Sequence, residues 1–437
     1  MKRYGDYKPT GAEWIPSIPA SWDIQKIGAL FAQRKEKVSD KDFAPISVTK
    51  NGILPQLATA AKADDGDNRK KVCVGDFVIN SRSDRKGSCG VSDFEGSVSL
   101  INIVLQPRDQ LSGRYAHYLL RNHLFSEEYY RNGRGIVADL WTTRYSEMKT
   151  ILLPVPPREE QDQIVRYLDW QMSKINRLIA AKRKEIDAIH DMEHLYIDHV
   201  FSEIANQKTI RLKYLVEQFV DCPHETPEYC KDGDYCVIRT ADQDYGYLRS
   251  ETLMYRLTES EYTNRIRRAP LNAGDIVYGR EGERWGLACV IPESEKFCLG
   301  QRIMQFVCNK QMVAPEYVMW ALNSSYVRNQ GILDTMGSTS PHVNISTIIN
   351  FRIPYTSREH QHTLVSKIEC TMQKYRQLCE RIENEIQLLH DLRTRLISDV
   401  VTGQIDVRGI KVPDDEYINN EITEEEFEEE SENNEEE

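Results

Sequence analysis

The sequence predicts an α+β protein in which two α/β domains are separated by two long antiparallel coiled-coil helices, related by a pseudo-twofold internal repeat. Three observations predict this fold. Segments 200 residues apart are alike, each of them carries a heptad pattern, and the stretches that precede them share motifs in the same order. A chain of 437 residues is long enough for several domains with sizeable cores.

The repeat aligns residues 152–191 with residues 352–391 without a gap. Chance would give far fewer matches in one register, so the alignment indicates a duplicated structural unit. The identical pairs are Pro154 and Pro354, Arg158 and Arg358, Glu159 and Glu359, Gln161 and Gln361, Val165 and Val365, Met172 and Met372, followed by Lys174, Leu178, Glu185, Ile186, His190 and Asp191 with their counterparts 200 residues later.

Each copy predicts a long helix because its apolar residues recur at alternating spacings of three and four, as in a coiled-coil seam. Prolines precede both helices, and Gly403 follows the second as a stop signal. At about 1.5 Å per residue, each helix would be roughly 60 Å long. The first seam is Val165, Leu168, Met172, Ile175, Ile179, Lys182, Ile186, Ile189, Glu193, Tyr196 and Val200, and the second is Val365, Ile368, Met372, Tyr375, Cys379, Ile382, Ile386, Leu389, Arg393, Leu396 and Val400.

The two globular segments resemble each other only weakly, but their motifs correspond. VGDFV at residues 74–78 matches AGDIV at residues 273–277, and each motif is followed by a charged, glycine-containing turn, a short helix and a polar loop. We therefore predict a first domain at 1–153, a first helix at 154–205, a second domain at 206–353, a second helix at 354–403 and an acidic disordered tail at 404–437.

The net charge of -12 is distributed unevenly. Residues 412–437 contain fourteen acidic residues and no Lys or Arg, which leaves +2 for the rest of the chain. A run of like charges with few aromatic residues buries too little surface to fold, so we expect disorder there. Acidity overall therefore does not exclude nucleic acid as a partner, and the role of the tail, solubilising or otherwise, stays open.

Motifs for catalysis are absent from the sequence. There is no GxxxxGK[ST] phosphate loop, no Rossmann fingerprint and no Asn/Asp-Pro-Pro-Tyr methyltransferase tetrapeptide. We predict no catalytic residues and no metal site. Cys222, His224, Cys230 and Cys236 are the one cluster that suggests zinc, but no CxxC or HxxxH pair fixes a geometry, so buried thiols and a turn histidine are the simpler interpretation.

The sequence also favours a cytoplasmic protein without a membrane segment. No apolar run approaches the roughly 18–20 residues of a membrane span. The first thirty residues lack the layout of a signal peptide. Ten cysteines in a reducing compartment are expected to be buried thiols.

Several tracts resemble the specificity subunits of type I restriction-modification systems, and the resemblance spans nearly the whole chain. They are the opening tract from Tyr7 to Phe31, the helix start LLPVPPREEQDQIVRYL, and DCPHETP at 221–227 with KDGDYCVIRT after it. The second helix start departs from the pattern, since it lacks the double proline and has His360 where Glu is expected. The acidic tail lies outside the pattern.

The resemblance implies a subunit without catalytic activity that binds double-stranded DNA. Each globular domain would be a target-recognition domain for one half of an asymmetric bipartite target, and the helices would set the number of base pairs between the halves. Expected partners are two adenine methyltransferase subunits and the restriction subunits, which translocate DNA. This chain would hold no cofactor, and S-adenosylmethionine, ATP and Mg²⁺ would bind the partner subunits.

Base recognition needs bidentate donors and acceptors at loop tips, and phosphate binding needs Lys or Arg nearby. The basic runs at 69–71 and 265–268 are predicted phosphate anchors. For any single arginine, a solvated surface role is the alternative. The candidate DNA-binding residues are Arg82, Arg85, Lys86, Arg131, Arg134, Trp141 and Arg144 in the first domain and Arg280, Glu281, Arg284, Trp285, Arg302, Ser338, Thr339 and His342 in the second.

The methyltransferase interface is expected on exposed faces of the helices, where the same residues recur at both starts. Helix capping is the alternative role, because acidic residues in a first turn favour the helix dipole. The candidate partner-binding residues are Arg158, Glu159, Gln161, Arg358, Glu359 and Gln361.

A second class of function also fits the helices and the tail: a coiled-coil scaffold whose domains bind proteins and not specific DNA. The paired, arginine-bearing glycine loops discriminate between the two hypotheses, since a scaffold does not need them. An enzyme would require a motif that the sequence lacks.

Overall fold

The structure, a computed structural model, consists of two compact units, each taking part of both long helices. Unit 1 contains Met1–Lys182 and Asn384–Glu437, and unit 2 contains Arg183–Glu383. The predicted domain bounds assign each long helix to a single segment, whereas the two units divide both helices between them. Those bounds therefore stay predictions. The residues that the structure describes are 2–56, 66–135, 141–292, 296–336 and 341–413.

In its described residues, unit 1 is rich in short strands and has four short α-helices before the first long one. The strands are β1 (Tyr7–Ala12), β2 (Ile15–Pro19), β3 (Asp23–Lys26), β4 (Phe31–Arg34), β5 (Lys37–Val38), β6 (Ile46–Thr49), β7 (Gly52–Pro55), β8 (Arg69–Val72), β9 (Phe77–Asn80), β10 (Cys89–Val91), β11 (Gly96–Val98), β12 (Asn102–Pro107) and β13 (Leu152–Val155). The helices are α1 (Ile27–Leu30), α2 (Gly113–Leu120), α3 (His123–Arg131), α4 (Tyr145–Met148) and the start of α5 (Arg158–Ala205).

Unit 2 repeats this composition after the end of α5. Its strands are β14 (Thr209–Arg211), β15 (Val216–Asp221), β16 (Tyr235–Ile238), β17 (Gln243–Asp244), β18 (Tyr247–Leu248), β19 (Arg256–Leu257), β20 (Ile276–Gly279), β21 (Ala288–Val290), β22 (Phe297–Leu299), β23 (Ile303–Cys308) and β24 (Arg352–Pro354). Its helices are α6 (Glu259–Arg265), α7 (Pro315–Asn323), α8 (Ser325–Arg328), α9 (Ile332–Thr335), α10 (Ile345–Ile348) and the start of α11 (Arg358–Val401).

The main sheets of the two units have the same strand order. Unit 1 has β10-β9-β12-β4 and unit 2 has β21-β20-β23-β15, all antiparallel. Before β9 and β20, Gly75 and Gly274 both take a φ of 87°, which glycine adopts without strain. The buried carboxylates of Asp76 and Asp275 then accept the amide N–H three residues earlier, at 2.9 and 2.8 Å. The smaller sheets differ, because β16 and β22 run parallel whereas β8 and β11 run antiparallel.

The two long helices, of 48 and 44 residues, bury their predicted apolar stripes. Every residue of both seams is buried or half-buried. In unit 1 the helices run in opposite directions, since Gln163 near the start of α5 donates to the carbonyl of Val407 after α11, and Lys182 pairs with Glu385 at 2.9 Å. The apolar stripes therefore pack against each other within unit 1.

Near its end, α5 departs from the predicted heptad. The most deeply buried residues are Ile197 and Phe201, each one position after the predicted Tyr196 and Val200. The Phe201 ring packs on Tyr317 of α7, with ring centroids 5.3 Å apart. This face of α5 packs against the globular part of unit 2. The heptad pattern does not predict this second contact surface.

Gln161 and Gln361 are fully buried, which corrects their predicted place on a partner-binding surface. The side-chain oxygen of Gln161 accepts the N–H of Ser112 at 2.8 Å, and its amide group donates to the Gln110 and Pro156 carbonyls. Gln361 accepts the N–H of Ala314 at 3.0 Å in the same way. Both residues fasten the start of a long helix to the turn before a short one, because buried backbone groups need partners.

We expect Gln161→Ala to lower the free energy of unfolding by about 2–4 kcal/mol, because it leaves buried backbone donors and acceptors unpaired. Urea unfolding of the full chain measures the change. The exposed neighbour Glu159 provides the matched control, and Glu159→Ala should change stability by about 0.5 kcal/mol or less. Equal effects of the two variants would contradict the structural role of Gln161.

The buried carboxylate of Glu160 explains the departure at the second helix start. It accepts hydrogen bonds from the Tyr4 hydroxyl and, at 3.0 Å, from the Trp22 indole. Burial and this carboxylate raise the pKa of Tyr4. The counterpart, His360, is exposed and bonds Thr356. Tyr4 and Trp22 of the opening tract therefore require a hydrogen-bond acceptor at the start of α5. The start of α11 has no such requirement at His360, which is exposed.

The imidazole of His117 on α2 stays neutral in the folded chain, because burial and the neighbouring arginines lower its pKa to about 3. The Arg121 guanidinium lies 2.9 Å from its Nε2. Unfolded His117 takes up a proton as the pH falls below its usual pKa of 6.5, whereas the folded residue does not, so stability falls as the pH drops from 6.5 toward 3.

At pH 5 this effect should cost about 1–2 kcal/mol. His117→Gln should therefore lose less stability than the wild type between pH 7 and pH 5 in urea unfolding. Parallel losses in the two proteins would contradict a neutral His117.

Candidate nucleic-acid interface

In unit 1, three separate segments with predicted DNA-binding residues meet at one place. Arg134 and Thr142 exchange two backbone hydrogen bonds of 3.0 Å, and the N–H of Thr143 donates to the carbonyl of Ser81 at 2.9 Å. The N–H of Ser83 donates to the carbonyl of Trp141 at 3.1 Å. We call residues 81–87, 131–134 and 141–144 loop cluster 1.

Trp141 supports loop cluster 1 from within. Its indole is half-buried and donates to the carbonyl of Tyr130 at 2.9 Å. A Cβ on Gly133 would lie 2.1 Å from the indole nitrogen, so glycine is required there. The side chain packs between two segments and positions them.

The cations of loop cluster 1 fall into two groups. Arg82, Arg85 and Arg144 are exposed, and in the parts of the chain that the structure describes their guanidinium groups make no ion pair. Arg134 is 84% exposed, with Glu147 3.9 Å away. The remaining two cations are already neutralised, Lys86 by Glu127 and Arg131 by Glu13 and Glu128. Arg82, Arg85 and Arg144 are therefore available to bind an external anion or the edge of a base.

Unit 2 assembles its candidate residues through the same backbone contacts. Glu281 and His342 form an isolated β-bridge, as Arg82 and Thr142 do in unit 1. The N–H of Val343 donates to the carbonyl of Arg280 at 3.1 Å, as Thr143 donates to Ser81. Gly282, with a φ of 84°, donates to the carbonyl of Pro341 at 2.8 Å. We call residues 280–286, 302 and 341–343 loop cluster 2.

Arg302 has an unusual backbone in loop cluster 2. Its φ is 66°, a left-handed conformation that costs a residue with a Cβ some strain. Its carbonyl accepts the N–H of Arg280 at 2.9 Å, and its side chain is exposed close to Gly282. Arg284, 40% exposed, donates to the Gln243 carbonyl. Arg302, Arg284 and His342 therefore face solvent around one turn.

Two residues predicted to contact DNA in unit 2 are buried, which corrects that assignment. Arg280 is 9% exposed and pairs with Glu281, and Trp285 is 8% exposed. The Arg328 guanidinium stacks on the Trp285 ring at 5.0 Å. Arg280 and Trp285 hold the loop that carries the exposed residues. Arg328 was not a candidate, and no local sequence signal marks it.

The predicted phosphate anchors divide into internal and exposed cations, and Arg267 and Arg268 are exposed. Arg69 is buried and donates to Ser97, and the Lys70 ammonium donates to the carbonyls of Leu100 and Asn102. Arg265 is buried and donates to the Leu299 carbonyl at 2.9 Å. In β-rich segments, a run of basic residues in the sequence does not show which cations bond loop carbonyls and which face solvent.

Four of the predicted partner-binding residues are exposed, unlike Gln161 and Gln361. Arg158 pairs with Asp162 at 3.4 Å in the first turn of α5, and Glu159 lies beside it. Arg358 and Glu359 occupy the first turn of α11. Ser338, Thr339 and tail residues 414–437 lie outside the described residues.

The described residues contain no group of three His, Cys, Asp or Glu residues that could hold a metal ion. Seven of the ten cysteines are buried and all ten are free thiols. In the same residues, no helix is both long and apolar enough to cross a membrane.

Comparisons with known proteins agree on one family. Residues 221–388 match the family model for the type I restriction modification DNA specificity domain. Two curated relatives come from Methanocaldococcus jannaschii. The type I restriction enzyme MjaVIII specificity subunit is 20% identical over 421 residues, covering 90% of this chain and 95% of the relative. The putative type I restriction enzyme MjaX specificity subunit is 19% identical over 434 residues, covering 90% and 96%.

A chain in a solved structure on the complex assembly and conformational transition of the type I R-M system has the same fold. Its TM-score is 0.61 at 14% identity, and the match covers 89% of this chain and 99% of that one. Residues 221–388 are thus similar to the type I restriction modification DNA specificity domain, and nine tenths of the chain is similar to specificity subunits of type I restriction enzymes.

Proposed function

We propose that this chain is the specificity subunit of a type I restriction-modification system and recognises an asymmetric, bipartite DNA target, with unit 1 contacting one half and unit 2 the other. The observation that carries the proposal is the shared construction of the two loop clusters. In each, a glycine-containing loop and a polar loop before a long helix are joined by the same backbone bonds, and arginines face solvent around them. The side chains differ between the clusters, so the two half-sites should differ in sequence.

The same construction supports an internal repeat of two recognition domains. Equal strand orders, the paired Gln161 and Gln361 contacts and the antiparallel packing of the helices in unit 1 all favour it. A pseudo-twofold subunit suits two half-sites in inverted orientation. In this proposal α5 and α11 act as a coiled coil that sets the number of base pairs between the halves.

The partners in this proposal are double-stranded DNA, two methyltransferase subunits and the restriction subunits. Arg158, Glu159, Arg358 and Glu359 are exposed at the helix starts and are proposed to contact the methyltransferase subunits. S-adenosylmethionine, ATP and Mg²⁺ would bind those partners and not this chain. Because the chain without residues 412–437 carries a net charge of only +2, tight DNA binding should require the assembled complex.

Co-expression with the methyltransferase subunit tests the proposal. The expected result is a stable complex that methylates adenine in a defined motif and binds a duplex with that motif far more tightly than this chain alone does. Omitting this chain provides the control. A complex that neither methylates nor binds specific DNA would favour the alternative, a coiled-coil scaffold.

A further inference from the structure

Two large apolar side chains project into solvent beside loop cluster 2. Leu333 on α9 is 82% exposed, and Met336 just after it is 70% exposed. We call Leu333 and Met336 the apolar tip. Isolated apolar residues on a surface are ordinary, but two that protrude together from a well-fixed turn call for a partner.

The turn that carries the apolar tip is anchored to loop cluster 2. A Cβ on Gly331 would lie 3.2 Å from both Trp285 and Val343, so the chain packs tightly there. The carboxylate of Asp334 accepts the N–H of Asn344 at 3.0 Å, two residues after His342. The apolar tip is therefore held next to the exposed His342.

We infer that the apolar tip contacts a thymine methyl group in the half-site that unit 2 recognises, an inference that rests on the proposed function. The C5 methyl of thymine is the apolar group among the base edges of the major groove, where the other groups are hydrogen-bond donors and acceptors. Two side chains cover far less than the roughly 800 Å² per partner that a stable protein interface buries.

The test uses the assembled methyltransferase complex and duplexes with the motif that it methylates. Each thymine, on either strand, is replaced in turn by deoxyuridine, which removes one methyl group. At one position the wild-type complex should lose affinity about three- to fivefold. Leu333→Ala should lose a similar factor on the thymine duplex and nothing further on the deoxyuridine duplex. Leu253→Ala, which removes another exposed leucine of unit 2, is the matched control and should behave as wild type.

Three results would overturn the inference and leave the proposed function intact. They are specific wild-type binding without any deoxyuridine-sensitive thymine, a Leu333→Ala defect of the same size on every duplex, and a failure of Leu333→Ala to assemble with the methyltransferase subunits. The last result would place the apolar tip at a protein interface. A wild-type complex that binds no specific duplex would instead remove the proposed function.

Discussion

The double variant Arg82→Ala, Arg144→Ala is expected to weaken binding of the assembled complex to its target duplex by roughly 30-fold to 10⁴-fold. Each side chain that contacts a base contributes about 1–3 kcal/mol to recognition. Both guanidinium groups are exposed in loop cluster 1, and the described residues offer them no carboxylate. Fluorescence anisotropy with a labelled duplex, at one fixed salt concentration, measures the change.

The matched control uses two cations of the same loop cluster that are already paired. Lys86 lies against Glu127, and Arg131 lies against Glu13 and Glu128. Lys86→Ala, Arg131→Ala should therefore weaken binding by a much smaller factor. Equal losses in the two double variants would mean that net charge, and not the free guanidinium groups, determines affinity.

Trp285→Ala is expected to destabilise unit 2 by about 3–5 kcal/mol, as removal of a buried tryptophan generally does. The indole is buried, Arg328 stacks on it, and Gly331 packs against it. At about 2–4 °C per kcal/mol, the melting temperature of unit 2 should fall by roughly 6–20 °C. Differential scanning calorimetry of the full chain measures this change.

The same substitution should remove recognition of one half-site, because Trp285 holds the loop of Arg284 and Arg302. Trp285→Phe keeps an aromatic ring and should retain most of the stability and the recognition. A Trp285→Ala protein with an unchanged melting temperature would show that the indole is not a supporting residue.

The sequence predicts the long helices well because their burial depends on residue type at regular spacing. All residues of both seams are at least half-buried, including the polar Lys182 and Arg393. Toward the end of α5 the most buried residues, Ile197 and Phe201, lie one position after the predicted ones. A periodic pattern specifies one buried face, and contacts to a globular neighbour add a second one that the pattern does not contain.

The location of the candidate interface was predictable, but the role of each residue in it was not. The charged glycine turns correctly marked two places where loops meet. Whether an arginine there faces solvent, as Arg82 does, or lies inside, as Arg280 does, depends on the neighbouring carboxylates that folding supplies. The recurrence of glutamine at positions 161 and 361 likewise suggested a surface, although both side chains bond buried backbone groups that need partners.

Sequencing of methylated adenines in DNA modified by the co-expressed complex tests the central claim most directly. For the wild type, the account predicts an interrupted motif with two different halves. For the variant in which Arg82 and Arg144 are replaced by alanine, it predicts that one half of the motif becomes degenerate and the other half stays intact. A single continuous motif, a palindromic motif, or loss of both halves in that variant would contradict recognition of one half-site by each unit.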